Sequence, residues 1–351
     1  MAESRLITIS KAELSPNPVQ TGKSYVIRAT LEKKAYWLDY PYDYAHDYAK
    51  GDESMSVKTV QAVINGQTYT LTKNTSTGKY EATITAPSKS SYTLSGHYYP
   101  VTVKATDDAG NVTTKDATDS TLGASLRLQV KEKVVPVITI TAPTASQYLA
   151  NSTPAIVWKI TDDDSGVNPS TIALKVDGTA VDASKITKTA VTGGYTCSYT
   201  PASALSDGAH TVVATASDYD GNAAAQKSVT FTVDTIPPTL SISAPAEGFI
   251  TNKSTVTVKG TTDDATSKPV TLTVNGDHIP VTNSGTFSND VTLKEGSNTI
   301  TIVAKDKAGK TTTVTRTVKL DTAPPVIKSA TITPNPVDCG KTFVISVEVT
   351  D

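Results

Sequence analysis

Three short cassettes recur along the chain and limit what it can fold into: VKATDDAGNVTT ending at Thr114, VATASDYDGNAAA ending at Ala225, and IVAKDKAGKTTT ending at Thr313. Each sets a β-rich run, then Asp-x-x-Gly followed by Asn or Lys, then a second β-rich run. A tight turn between two strands accounts for the pattern. Gly110, Gly221 and Gly309 supply the positive φ, and the Asp side chain bonds back to the turn amides. A second shared element lies upstream of each cassette, in VINGQTYTL, LKVDGTAV and LTVNGDHI. Its Asn/Asp-Gly dipeptide between alternating runs is a further hairpin turn.

Proline marks the boundaries. EKVVPVITITAP, VDTIPPTLSISAP and LDTAPPVIKSATITP each join the last strand of one repeat to the first of the next, and paired prolines stiffen a short connection. The repeats expected are 1–134, 135–235, 236–322 and a partial one at 323–351. A chain of 351 residues is too long for one core. Hydrophobic residues make up 38%, with only 4 Phe and 2 Met, the balance of thin sandwiches with small cores. Repeats of roughly 90 to 100 residues, with about seven short strands and no long helical pattern, predict an all-β chain of tandem immunoglobulin-like β-sandwiches arranged end to end.

The DTIPP and DTAPP linkers, the VNG and VDG turns, the TDDDSGVNPSTIALKVDG stretch and the AxDxxGN hairpins together resemble tandem bacterial immunoglobulin-like domains, most clearly from Val135 to Pro325. The resemblance implies the sandwich fold. It implies no single function, because such modules occur in Gram-positive surface proteins, in linkers of secreted enzymes and in phage virion and tail proteins.

The first repeat carries an insertion, at about residues 35–54, that the other complete repeats lack. It contains AYWLDYPYDYAHDYAKGDES, with Tyr36, Trp37, Tyr40, Tyr42, Tyr44 and Tyr48 among the chain's 21 aromatic residues. Pro41 opposes a helix through the whole segment and tolerates one starting there, so a short helix or ordered loop is expected from about Pro41 to Ala49. These six aromatics are candidates for binding a partner protein or glycan, since Tyr and Trp are rigid, amphipathic and able to stack on sugar rings. The alternative is a lid folded over the repeat's own core.

Motifs of catalysis are absent: there is no GxSxG elbow, HExxH helix, P-loop or GxGxxG turn. His46, His97, His210 and His278 are scattered without metal or triad spacing. Cys197 and Cys339 fall in different repeats, which argues for two free thiols. No cofactor is expected, and calcium is the one ion to weigh. Asp162, Asp163, Asp164, Asp218 and Asp220, with the linker acids Asp234 and Asp321, offer hard oxygen ligands near the junctions between repeats. The resemblance adds that some bacterial arrays of this type hold calcium at such junctions. Against it, no stretch has EF-hand spacing, and DKAGK in the third repeat replaces the acidic pattern with lysine.

A net charge of −2, with 32 basic and 34 acidic residues dispersed along the chain, excludes a nucleic-acid partner. No apolar run is long enough for a signal peptide or a membrane span, which predicts a chain without classical secretion or membrane insertion. The expectation is therefore a non-enzymatic structural or adhesive component of a phage virion, tail-associated, because virion proteins leave by lysis. Its partners would be other tail proteins, copies of itself, or a host-surface glycan or protein. The alternative is a fragment of a secreted bacterial surface adhesin or stalk, extracellular, with carbohydrate binding as a variant.

The partial repeat supplies the assembly candidates. Ala12–Lys33 and Ala330–Asp351 share 9 of 22 residues, and Phe343, Ile345, Val347 and Val349 form one apolar face of the later copy. A lone hairpin is marginal in water. Three explanations stay open: a truncated repeat, packing on the third repeat, or strand addition to another subunit.

Overall fold

The computed structural model describes residues 2–38 and 56–351, with side chains at 6–33 and 56–351. The chain divides into two compact units. The first comprises Met1–Pro143, Ala155–Tyr199 and Thr211–Val229, and the second Thr144–Pro154, Thr200–His210 and Thr230–Asp351.

In the first unit, the opening repeat is a sandwich of two antiparallel sheets. One has the strand order Ala2–Ser15, Ser24–Leu38, Tyr80–Thr85, Thr72–Lys73; the other runs Arg127–Leu128, Tyr99–Asp107, Val57–Ile64, Gln67–Thr70, with Val112–Lys115 also pairing to Tyr99–Asp107. Strict alternation explains the packing. Along Tyr99–Asp107 every second residue is buried, so Val101, Val103 and Ala105 face Tyr25, Ile27 and Ala29 in one core. Val130–Lys131 adds a parallel pairing to Val19–Gln20 that closes the repeat.

The same unit holds the antiparallel sheet Val137–Ala142, Ile156–Thr161, Gly194–Tyr199, Thr187–Val191 of the second repeat, and the ladder of Ala173–Val176 with Thr179–Ala180. In the second unit, Tyr148–Leu149 runs parallel to the end of Lys227–Val233. The third repeat there pairs the sheet Thr239–Ala244, Thr255–Asp263, Thr286–Thr292 with the sheet Phe249–Thr251, Thr311–Leu320, Gly296–Lys305, Thr271–Val274, Asp277–Ile279. The described residues are thus tandem immunoglobulin-like sandwiches.

Both turn families form as the sequence predicts. Asn65-Gly66, Asp177-Gly178 and Asn275-Gly276 all have positive φ at both residues, the requirement of a type I′ hairpin turn. In the cassettes, the amides of Asn111, Asn222 and Lys310 donate to the Oδ1 atoms of Asp107, Asp218 and Asp306 over 2.8, 2.7 and 2.8 Å.

Counted from the positive-φ hairpin glycines Gly78, Gly193 and Gly285, the aromatic residue two positions on is Tyr80, Tyr195 or Phe287, and it lies across the ladder from Ala29, Ile160 or Gly260. Trp158 lies across from Cys197, two residues further along the second repeat's ladder, and both are fully buried.

The aromatic insertion begins later than expected at the backbone level. Strand Ser24–Leu38 runs through Tyr36 and Trp37, which pair in register with Ser4 and Glu3. A long partner strand carries it there, so these two residues extend a ladder and do not open a loop. Tyr40, Tyr42, Tyr44 and Tyr48, and the helix or loop expected from Pro41, lie outside the described residues.

Candidate functional site

Strand ends place the polar groups of this chain. Three carboxylates of the first unit, Glu132, Asp162 and Asp218, each bring an oxygen within 4.8 Å of the others. Three more in the second unit, Asp234, Asp264 and Asp306, do the same. The two clusters are built alike. Glu132 and Asp234 each follow the last strand of a repeat, Val130–Lys131 and Lys227–Val233. Asp162 and Asp264 follow Ile156–Thr161 and Thr255–Asp263 in the next repeat, and Asp218 and Asp306 open its cassette turn.

All six are buried. Relative exposures are 3, 6 and 1% for Glu132, Asp162 and Asp218, and 1, 5 and 5% for Asp234, Asp264 and Asp306. Backbone amides satisfy part of each. Asp162 Oδ1 accepts from Asp164 N at 3.1 Å and Gly166 N at 2.7 Å; Asp264 Oδ1 accepts from Thr266 N at 2.8 Å and Ser267 N at 2.7 Å. A serine of the same loop reaches back to the preceding repeat in both clusters. Ser165 N donates to Glu132 Oε1 over 2.6 Å, and the Ser267 hydroxyl donates to Asp234 Oδ2.

Other oxygens have no partner. Glu132 Oε2 and Asp162 Oδ2 in the first cluster, and Asp306 Oδ2 in the second, are buried with no hydrogen bond among the described residues. Ion pairs of the described residues lie elsewhere, at Lys115–Asp119 and Lys268–Asp263 for example. Burial, the largest influence, pushes the Glu132 carboxyl above the usual glutamate value; the bonds from Ser165 oppose this, and the charges of Asp162 and Asp164 add to it. Three buried carboxylates within 5 Å of one another, with bare oxygens and no ion pair to a basic side chain among the described residues, have the donor chemistry of a hard divalent cation.

Around the first cluster the junction is densely bonded. Ser90 N donates to Asp164 Oδ1 at 3.0 Å, Glu132 N to Asp220 Oδ2 at 2.9 Å, and Asn222 Nδ2 to the Glu132 carbonyl at 3.2 Å. Tyr92 stacks on Tyr219 at 4.1 Å and on His97 at 4.2 Å. At the second cluster Lys307, in the cassette position of Tyr219, sits over the Tyr148 ring at 5.1 Å.

Of the acids named from sequence, the structure thus brings together Asp162 and Asp218, and separately holds Asp234 in the second cluster. Asp163, Asp164 and Asp220 are outside: Asp164 and Asp220 cap backbone amides, and the Asp163 carbonyl accepts from Lys89 Nζ at 3.3 Å. Asp321 pairs with Lys319 at 2.9 Å. Glu132, Asp264 and Asp306 were missed. DKAGK keeps the one acid that matters, Asp306, and the readable signal was the acid ending each repeat before its proline linker.

Ile345, Val347 and Val349 are 60, 50 and 51% exposed on the two-stranded sheet of Val326–Thr333 and Val344–Thr350, and Phe343, just before its second strand, is 48% exposed. Tyr25, Ile27 and Ala29, at the matching positions of the first repeat, are buried. Cys197 and Cys339 are free, as expected.

Comparison with known proteins agrees with this architecture. The family "Bacterial Ig-like domain" matches residues 139–235, and "Glucodextranase, domain B" matches residues 238–322. The chain is built of tandem immunoglobulin-like domains, and the bacterial family matches the one at residues 139–235. Bacillopeptidase F of Bacillus subtilis (strain 168) is 37% identical over 123 residues, covering 35% of this chain and 8% of that protein. The PII-type proteinase of Lacticaseibacillus paracasei is 26% identical over 320 residues, 85% of this chain and 16% of that protein. The chain therefore spans a small part of either relative. Among solved structures, fibronectin(III)-like modules of Clostridium thermocellum CbhA match 53% of this chain and 94% of theirs at 20% identity, with a TM-score of 0.35.

Proposed function

We propose that this chain is a non-catalytic stalk segment of an extracellular bacterial protein, and that calcium fastens its successive sandwiches at their junctions. The carrying observation is the repetition of one arrangement. The acid ending one repeat is hydrogen-bonded to a serine of the next and meets two further buried carboxylates there, once in each unit. Glu132, Asp162 and Asp218 would hold one ion and Asp234, Asp264 and Asp306 the other. The ion's contribution is charge: it neutralises carboxylates that folding forces together and ties the linker to the loop of the following sandwich.

Likeness to stretches of two bacterial proteinases supports an extracellular segment over the virion component that the lack of a secretion signal first suggested. In such a setting the sandwiches would space or present other parts of a longer protein, and the chemistry would reside elsewhere. Thermal unfolding of the full chain in calcium and in chelator tests the reading. The expected result is a rise of several degrees with calcium, abolished when Asp162 and Asp264 are both changed to Asn. Superimposable melts would overturn it.

A further inference from the structure

The two clusters share a plan but differ in the charge placed around them. The first cassette turn runs Asp218, Tyr219, Asp220, Gly221, Asn222 and is doubly acidic; the second runs Asp306, Lys307, Ala308, Gly309, Lys310, with one acid and two lysines. The loops differ in the same sense. Asp162 is followed by Asp163 and Asp164, whereas Asp264 is preceded by Asp263, whose charge is taken by Lys268 at 2.8 Å. Basic groups do approach the first junction, but Lys89 and Lys131 give their Nζ atoms to the carbonyls of Asp163 and Asp220 and leave the carboxylates unpaired.

Hydrogen bonding treats the two sites alike. In the first, Glu132 Oε2 and Asp162 Oδ2 are buried without a partner, while Asn222 Nδ2 holds Asp218 Oδ2 at 2.7 Å. In the second, Asp306 Oδ2 is buried without a partner, while the Ser267 hydroxyl holds Asp234 Oδ2. A cation entering either site must displace one donor, so the charge carried by the surrounding loops is what distinguishes them.

Resting on the calcium reading above, we infer that the two sites form a graded pair, the Glu132 site filling at least tenfold more tightly than the Asp234 site. Ligand charge and surrounding charge are what set calcium affinity in oxygen-ligated sites. Falling calcium would then release the second junction first while the first stays fastened. The graded pair gives the stalk one joint that responds to the calcium range of its surroundings and one that does not.

Calorimetric titration of calcium into the full chain, with two paired variants, tests this. The parent should bind two ions in two resolved steps. Asp162→Asn with Glu132→Gln should remove the tight step, and Asp234→Asn with Asp264→Asn the weak one. Replacing Lys307 by Tyr and Lys310 by Asn, neither of them a ligand, should tighten the weak step about tenfold. Two ions bound with equal affinity, or the tight step lost on changing Asp234 and Asp264, would overturn the grading and leave the calcium reading standing. No calcium heat at either site would remove both.

Discussion

The amide of Ser165 donates to Glu132 Oε1 over 2.6 Å, joining the loop of one repeat to the end of the repeat before it. The other oxygen, Oε2, is buried and unpartnered beside Asp162. Glu132→Gln keeps the acceptor for Ser165 and puts an amide donor where the bare oxygen stood. In chelator this variant should melt above the parent, by about 1 kcal/mol or roughly 4 to 8 °C for a domain of this size. In millimolar calcium the order should reverse, which paired thermal scans will show.

Gly260 has no room for a methyl group. A Cβ there would meet the Ser241 carbonyl oxygen and lie 2.7 Å from Phe287 Cζ. Gly260→Ala should therefore destabilise the third sandwich by about 1–3 kcal/mol through overpacking. Trp158→Ala, which empties a fully buried position in the second repeat, should cost about 3–5 kcal/mol. Denaturant unfolding followed by far-ultraviolet circular dichroism measures both.

The two thiols should behave oppositely. Cys339 is exposed and Cys197 buried, with burial pushing the Cys197 thiol up to about 11 from 9.0. A thiol reagent at pH 8 should titrate one group per native chain and two in denaturant. The folded thiol holds its proton more tightly than the unfolded one. Its contribution to stability is thus complete below about pH 9 and lost as the pH rises toward 11, a loss that Cys197→Ala should lack.

Tyr92 and Tyr219 stack at 4.1 Å with their planes 12° apart. A double-mutant cycle to Ala should return a coupling of about 0.5–1.5 kcal/mol. Additive single effects would show that the rings contribute only through separate burial.

Ile27 and Ile345 hold the same place in two copies of one segment, yet Ile27 is fully buried and Ile345 is 60% exposed. Ile27→Ala should cost about 2–5 kcal/mol. Ile345→Ala should stay within about 0.5 kcal/mol, as read by chemical unfolding of each variant.

Much of the fold was legible because local rules decide it. The Asn-Gly and Asp-Gly dipeptides fix type I′ turns, the cassette Asp fixes its own turn amides, and alternation assigns the buried face. The site was only half legible. Asp162 and Asp218 drew attention by standing in acid-rich stretches, but neighbours in sequence such as Asp164 point into different bonds. Glu132 and Asp306 stand among lysines, in VKEKV and DKAGK, so charge patterning hides both, and only the place of Glu132 before its proline linker marks it. What selects them is that each lies at a strand end, and convergence of strand ends is a property of the folded chain. The cross-strand contact of Trp158 with Cys197 is hidden in the sequence for the same reason.

The rung that sets Ala29 against Tyr80, Ile160 against Tyr195 and Gly260 against Phe287 also bears on how the chain reaches its native state. Tandem siblings are tethered, so while they fold each strand meets its counterparts at high local concentration, and exchange between neighbours is the characteristic error of such chains. Gly260 leaves its space to Phe287, whose ring would lie 2.7 Å from any Cβ added there. Laying Thr286–Thr292 against Ile156–Thr161 from the same hairpin glycine would set Phe287 on Ile160, where its own sandwich offers no side chain at all. A strand cut to lie over glycine is thus a poor substitute in the neighbouring sandwich.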